Sequence, residues 1–236
     1  DEKGNTRFLS IQFRPQYQYL DQNKEAEERI YEGETPGVSY GDIAERYYTV
    51  GQYMKEVKDV SKAMAAAGDS YICDEYLNAM GSPEAESVYV LHDLNNDGIE
   101  EFFIGLKFNY DIPYYVIYDV YTWKDGRAYQ LMRGIGYRNG SCKICENGVI
   151  EDNYSGSAWD GQTLYHILPE GGIELETIDS VSSRRDGTVQ SYYHWNELID
   201  ENSLQTILEQ YQPESVTYVD CNRETIEQLR LSGIRK

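Results

Sequence analysis

A chain of 236 residues, 40% of them hydrophobic, carries enough apolar surface for one large domain or for a domain with a helical appendage, which excludes global disorder. Its 21 Lys and Arg stand against 41 Asp and Glu, a formal charge of −20. That field repels phosphate backbones and anionic lipid, so nucleic acid and membrane surfaces are poor partners, and no run is apolar enough to make a transmembrane segment.

The opening residues, "DEKGNTRFLS", read as the polar spacer that follows a removed signal or lipoprotein leader. This places the protein outside the cell or anchored to its surface. From Gln22 to about Gly81 the pattern is helical. "NKEAEERIYEG" ends at Gly33, and Pro36 and Gly37 break the chain. Ile43, Tyr47, Val50, Met54, Val57, Val60 and Met64 then recur at helical spacing. Asp42 is positioned to cap that helix and Gly68 to end it. "DSYICDEYLNAMG" reads as a shorter helix, closed by Gly81, Ser82 and Pro83.

After Pro83 the apolar period falls to two, the period of a half-buried strand. "SVYVLHD" and "EEFFIGLKF" flank an acidic loop. "PYYVIYDVYTW" meets "RAYQLMRGI" across Lys124, Asp125 and Gly126. "SCKICE" meets "VIEDNY" across Asn147 and Gly148, and "TLYHILPE" meets "IELETIDSVSS" across Gly171 and Gly172. Arg185, Asp186 and Gly187 lead into "TVQSYYHW". Asn and Gly accept the positive φ of tight hairpin turns, and strands joined by tight turns are antiparallel. "DENSLQTILEQY" and "NRETIEQLRLSG" close the chain as helices, with Asn202 and Asn222 as N-caps. The predicted fold class is α+β: an N-terminal helical segment, then an antiparallel β-meander built as a twisted sheet, a sandwich or a partial barrel, then C-terminal helices. Residues 1–83 form the helical region that packs on the sheet, and residues 84–236 the β domain with its closing helices, in one compact unit.

Two features of composition bear on function. Tyrosine outnumbers phenylalanine 23 to 5, which suits half-buried sheet faces and also suits sugar- or protein-binding surfaces. Four cysteines, Cys73, Cys142, Cys145 and Cys221, permit disulfides, and a Cys73–Cys221 link would tie the helical region to the tail. The odd spacing of Cys142 and Cys145 on a strand sends their sulfurs to opposite faces, so a zinc knuckle is not expected there.

The sharpest chemical pattern is "HDLNNDGIEEFF". Asp93, Asn95 and Asp97 take positions one, three and five of a tight bend, and Gly98 at position six allows the turn. Ile99 offers its carbonyl at position seven and Glu101 its carboxylate at position nine. Position twelve is Ile104, so the loop is not an EF-hand. Crowded carboxylates repel one another, and a hard divalent cation removes that repulsion. The expected cofactor is a structural calcium ion. The competing reading is a turn held without an ion by the amides of Asn95 and Asn96.

"YVLHDLNNDGIEEFFIG" resembles the Y-x-x-x-D-x-[DN]-x-D-G-x-x-E-[LF]-x-[IV]-G signature of a set of secreted proteins and lipoproteins from Gram-positive, clostridia-like bacteria. Tyr89, Asp93, Asn95, Asp97, Gly98, Glu101, Phe102, Ile104 and Gly105 match it. Integrin-type propeller loops and dockerin loops share the D-x-[DN]-x-D-G core. In "CENGVIEDNYSGSAWDGQTLYHI", Glu146, Asn147, Gly148, Ser155, Gly156, Ser157 and Tyr165 fit a second pattern of such proteins. The similarity runs from about Tyr89 to near Tyr211. It implies an exported protein with a calcium loop and no known activity.

Enzyme signatures are absent from the sequence. His92, His166 and His194 lack HExxH spacing, and no G-x-S-x-G or phosphate-binding glycine motif occurs. The first reading is therefore an exported, non-enzymatic surface or ligand-binding protein, its partner a protein or glycan at the cell surface. One alternative is a glycan-binding module using Tyr and Trp faces, with Trp159 and Asp160 of "SGSAWDGQ" presented to the sugar. The other is a carboxylate-dependent hydrolase, since 41 acids place many carboxyl pairs within reach.

Overall fold

A computed structural model describes residues 39–67, 72–124, 126–135, 142–155, 159–168, 173–182, 189–195 and 197–232. The polar spacer and first helix expected before residue 38 lie outside these residues, as do Gly68 and the turn residues Asp125, Gly171, Gly172 and Arg185 to Gly187. Helix α1 (Tyr40–Val57) starts in a capping box: Ser39 is the N-cap, and Asp42 bonds back to it from the third helical position. Asp42 is therefore not itself the cap. The single long helix expected through Met64 is broken at Lys58, which takes a left-handed conformation, φ 53°. Asp59 opens α2 (Val60–Ala67) by accepting from the Lys62 N–H. Helix α3 (Asp74–Met80) follows.

The strands are β1 (Ala85–His92), β2 (Glu101–Phe108), β3 (Tyr114–Lys124), β4 (Arg127–Arg133), β5 (Cys142–Cys145), β6 (Val149–Ser155), β7 (Trp159–Ile167), β8 (Ile173–Ser182), β9 (Val189–His194) and β10 (Glu197–Ile199). Helix α4 (Glu201–Leu208), β11 (Val219–Asp220) and α5 (Arg223–Ser232) complete the order. They form two antiparallel sheets, β11-β1-β2-β3-β4 and β10-β9-β8-β7-β6-β5. The fold is the α+β arrangement expected, with the meander split into a sandwich. Asn222 caps α5 by accepting from the N–H groups of Glu224 and Thr225, as its position suggests. The cap of α4 is Asp200 rather than Asn202, because the helix begins one residue after Asp200 and the Ser203 N–H reaches that carboxylate at 2.7 Å.

Period-two alternation builds the layers. Phe102, Ile104 and Leu106 of β2 pack against Tyr47, Tyr76 and Leu77 of the helices. Phe103 faces the other way and joins Val90, Ile117, Val120, Ile150, Tyr165 and Ile167 between the sheets. On the far side of the second sheet, Val149, Leu164 and Ile178 pack beneath Leu204 of α4. The helical layer draws on both ends of the described chain: Arg230 of α5 pairs with Asp42 and Glu45 of α1. No helix among the described residues is long and apolar enough to cross a membrane.

Cys142 and Cys145 occupy a strand as expected, one in the core between the sheets and the other in the core beneath α4. All four cysteines are buried free thiols, so the Cys73–Cys221 link is not made. The Cys73 sulfur accepts from the Tyr76 N–H, and the Cys221 thiol donates to the Ala44 carbonyl. A thiol-labelling reagent should accordingly find four reactive groups in denaturant and almost none in the native protein. A missing pair in denaturant would reveal a disulfide.

Candidate calcium loop

Residues 93–100 connect β1 to β2, and the last ladder pair before the loop is His92 with Glu101. Two positive φ values reverse the chain, 57° at Asn96 and 87° at Gly98. The Asp93 carboxylate accepts the Asp97 N–H at 3.1 Å and the Gly98 N–H at 3.0 Å, one on each oxygen. Asn95 Oδ1 also accepts from the Asp97 N–H, at 3.2 Å. Asp97 Oδ1 accepts the Ile99 N–H at 2.7 Å, and its other oxygen accepts from Asn95 Nδ2 at 3.1 Å. Asp93, Asn95 and Asp97 are thus gathered around one bend. Each carboxylate oxygen accepts one bond here and retains a further lone pair.

Glu101 is placed differently. It is fully buried, and its two oxygens accept from the Leu94 N–H at 3.0 Å and the Thr122 hydroxyl at 3.1 Å. Burial pushes its carboxyl up to about 7, and the nearby Asp97 charge adds to the rise against the opposing pull of those two donors. Among the described residues no three His, Cys, Asp or Glu side chains converge as a ready-made metal cluster. The loop instead offers two carboxylates and an amide, with Glu101 lying underneath. These are hard oxygen donors, the type that suits calcium, and Glu101 would complete the set by sharing one of its oxygens.

The loop is fastened to both sheets. Asn95 Nδ2 donates to the Leu168 carbonyl at the end of β7, at 3.1 Å. Leu94 enters the core between the sheets. Asn147 and Gly148, with φ 64° and 75°, turn β5 into β6 directly against the loop; a Cβ on Gly148 would lie 3.4 Å from the Leu94 carbonyl. His92 reaches Glu214 at 3.0 Å, on the segment returning from α4. Trp159 and Asp160 are not brought here. They start β7, paired in register with Val181 and Ser180, at the other end of a strand roughly 25 Å long.

A second polar cluster escapes sequence reasoning. Asp119 of β3 is fully buried, accepting from the Tyr47 hydroxyl and, at 2.8 Å, from the Gly134 N–H. Tyr47 also shares a hydrogen bond with Tyr121 at 2.9 Å, and Gln130 donates to Tyr121 at 3.1 Å. The one signal for it is an acid inside the apolar run "YYVIYDVYTW". Desolvation raises the Asp119 carboxyl to about 6.

No family model, no curated protein and no solved structure matches the chain. A reading of function rests on the residues themselves.

Proposed function

We propose that this is an exported, non-enzymatic surface or ligand-binding protein in which the Asp93–Glu101 loop takes a structural calcium ion. On this reading it is one of the secreted, clostridia-like set whose loop signature the chain resembles. The observation carrying it is that three oxygen-bearing side chains, Asp93, Asn95 and Asp97, crowd one bend that is tied to both sheets. An ion there would fix the sandwich as well as the hairpin. Glycan binding, the second reading, draws support from the exposed tyrosines Tyr110, Tyr114 and Tyr115. The hydrolase reading has less support, because Glu101 and Asp119, the acids with raised pKa among the described residues, are sealed in the core away from any substrate.

The test is a thermal melt in millimolar calcium against EDTA, on the wild type and on Asp97→Ala. At free calcium about tenfold above the dissociation constant, mass action adds about 1.4 kcal/mol. That raises the melting temperature of a domain this size by about 3–6 °C. The shift should vanish in Asp97→Ala. Equal wild-type melts in calcium and EDTA would leave a polar turn that needs no ion.

A further inference from the structure

The turn between β2 and β3 carries a concentration of exposed rings. Phe108, Tyr110 and Tyr114 lie nearly parallel, with centroids 4.8 Å apart for Phe108 and Tyr114, 5.8 Å for Tyr110 and Tyr114, and 6.3 Å for Phe108 and Tyr110. Phe108 is buried, and the two tyrosines built on it are 50% and 46% exposed. Beside them, Glu84, Asn109, Tyr110, Asp111 and Ile112 line an open cleft of about 650 Å³. Ile112 stands 83% exposed at its rim. Tyr115 faces the opposite side, where it stacks on Tyr218.

We propose that this platform binds an arginine-bearing, basic peptide segment of a partner protein. The inference rests on the binding reading above and names the partner's chemistry; it does not depend on the calcium loop. Charge complementarity carries it. Among the described residues the cleft lining includes two carboxylates, Glu84 and Asp111, and no Lys, Arg or His. Lys107 of β2 falls on the other face of its strand, next to Phe108 and paired in register with Glu86 and Tyr115. The whole chain adds a charge of −20. The faces of aromatic rings are the negative part of their quadrupole and attract cations. A guanidinium meets both demands at once, lying flat on a tyrosine while its fork of donors engages a carboxylate. This chain already uses the first contact internally, with the Arg127 guanidinium 4.8 Å from the Tyr129 ring centre. A neutral sugar would use the ring faces but bring no counter-charge to Glu84 and Asp111.

An acidic protein attracts any polycation weakly, so the test must separate the rings from the diffuse field. Fluorescently labelled hexa-arginine and hexa-lysine are titrated into the full chain at physiological salt, which screens that field beyond about 8 Å. Chitohexaose serves as the neutral sugar probe. Hexa-arginine should bind more tightly than hexa-lysine. The double variant Tyr110→Ala, Tyr114→Ala, with net charge unchanged, should lose about tenfold in hexa-arginine affinity and abolish the preference for arginine. Tyr110→Leu alone keeps the Phe108–Tyr114 stack, guards against a folding defect, and should show a partial loss. Asp111→Asn should weaken both peptides. Equal binding by wild type and double variant would overturn the proposal, as would equal affinity for the two peptides. Binding of chitohexaose instead of hexa-arginine would also overturn it, while the binding-protein reading survived. Binding of no probe would count against both, whatever the outcome of the calcium melts.

Discussion

Gly105→Ala should destabilise the protein by about 3 kcal/mol or more and lower its melting temperature by about 6–12 °C. Gly105 lies in β2, the central strand of the first sheet, paired with Val88 on one side and Ile117 on the other. The register shifts here: Ile104 pairs with Asp119 but Gly105 with Ile117, which leaves Tyr118 as the extra residue of a β-bulge. The bulge draws β3 onto the Gly105 Cα. A Cβ would overlap the Val116 carbonyl oxygen and stand 2.9 Å from the Ile117 Cα. Both obstacles are backbone in the middle of a sheet, so neither yields cheaply. Gly98→Ala provides the contrast, because no atom lies within 4 Å of where its Cβ would stand and only its φ of 87° resists a side chain. That variant should cost about 1–2 kcal/mol. Denaturant unfolding of both variants measures the difference, and a Gly105→Ala protein as stable as wild type would show that the bulge can relax.

The second large effect is a pH dependence centred on Asp119. Its carboxyl is raised from an ordinary 3.8 to about 6, chiefly by desolvation, so the folded state holds its proton more tightly than the unfolded chain does. Folded protein therefore binds more protons than unfolded between those values, and stability falls as pH rises. The stabilisation is present in full below about pH 4 and is lost as pH climbs through 6. Two pKa units correspond to about 3 kcal/mol. In Asp119→Asn the amide oxygen can still accept from Gly134, and its N–H can donate to Tyr47. Melts of wild type and Asp119→Asn should coincide near pH 4 and part by pH 7, with the wild type about 6–12 °C lower. The other acids are common to both proteins, so the difference isolates this group. Parallel curves would mean that Asp119 is ionised throughout.

The switch of apolar period at Pro83 makes the strands legible, and the positive-φ residues Asn147 and Gly148 do the same for one of their turns. The spacing of Asp93, Asn95 and Asp97 is enough to place them on one bend. Three other features are hidden by the apolar pattern. Nothing between β4 and β5 marks the change of sheet, because the split follows from which faces bury each other. The helix break at Lys58 lies within a continuous helical period and is decided by the Asp59 cap. The bulge at Tyr118 turns both Tyr118 and Asp119 toward the helices, which strict alternation forbids; that is why the buried acid cannot be read from the pattern. The inward placement of Glu101 is readable in part, since alternation puts it on the face of Phe103.

β11 is only two residues long, yet it settles the order in which the fold can be completed. Val219 and Asp220 pair with Tyr89 and Val88, and the Cys221 N–H reaches the Ser87 carbonyl at 2.8 Å. The exposed edge of β1 is therefore covered by residues made long after it. During synthesis the whole of the second sheet emerges while that edge, flanked by Val88 and Val90, is still open to any passing strand. Unpaired edges of this kind template association between chains. Non-local pairing of this separation is also slow to form. The nascent protein thus passes through a window of vulnerability to aggregation that closes only when its C-terminal segment docks.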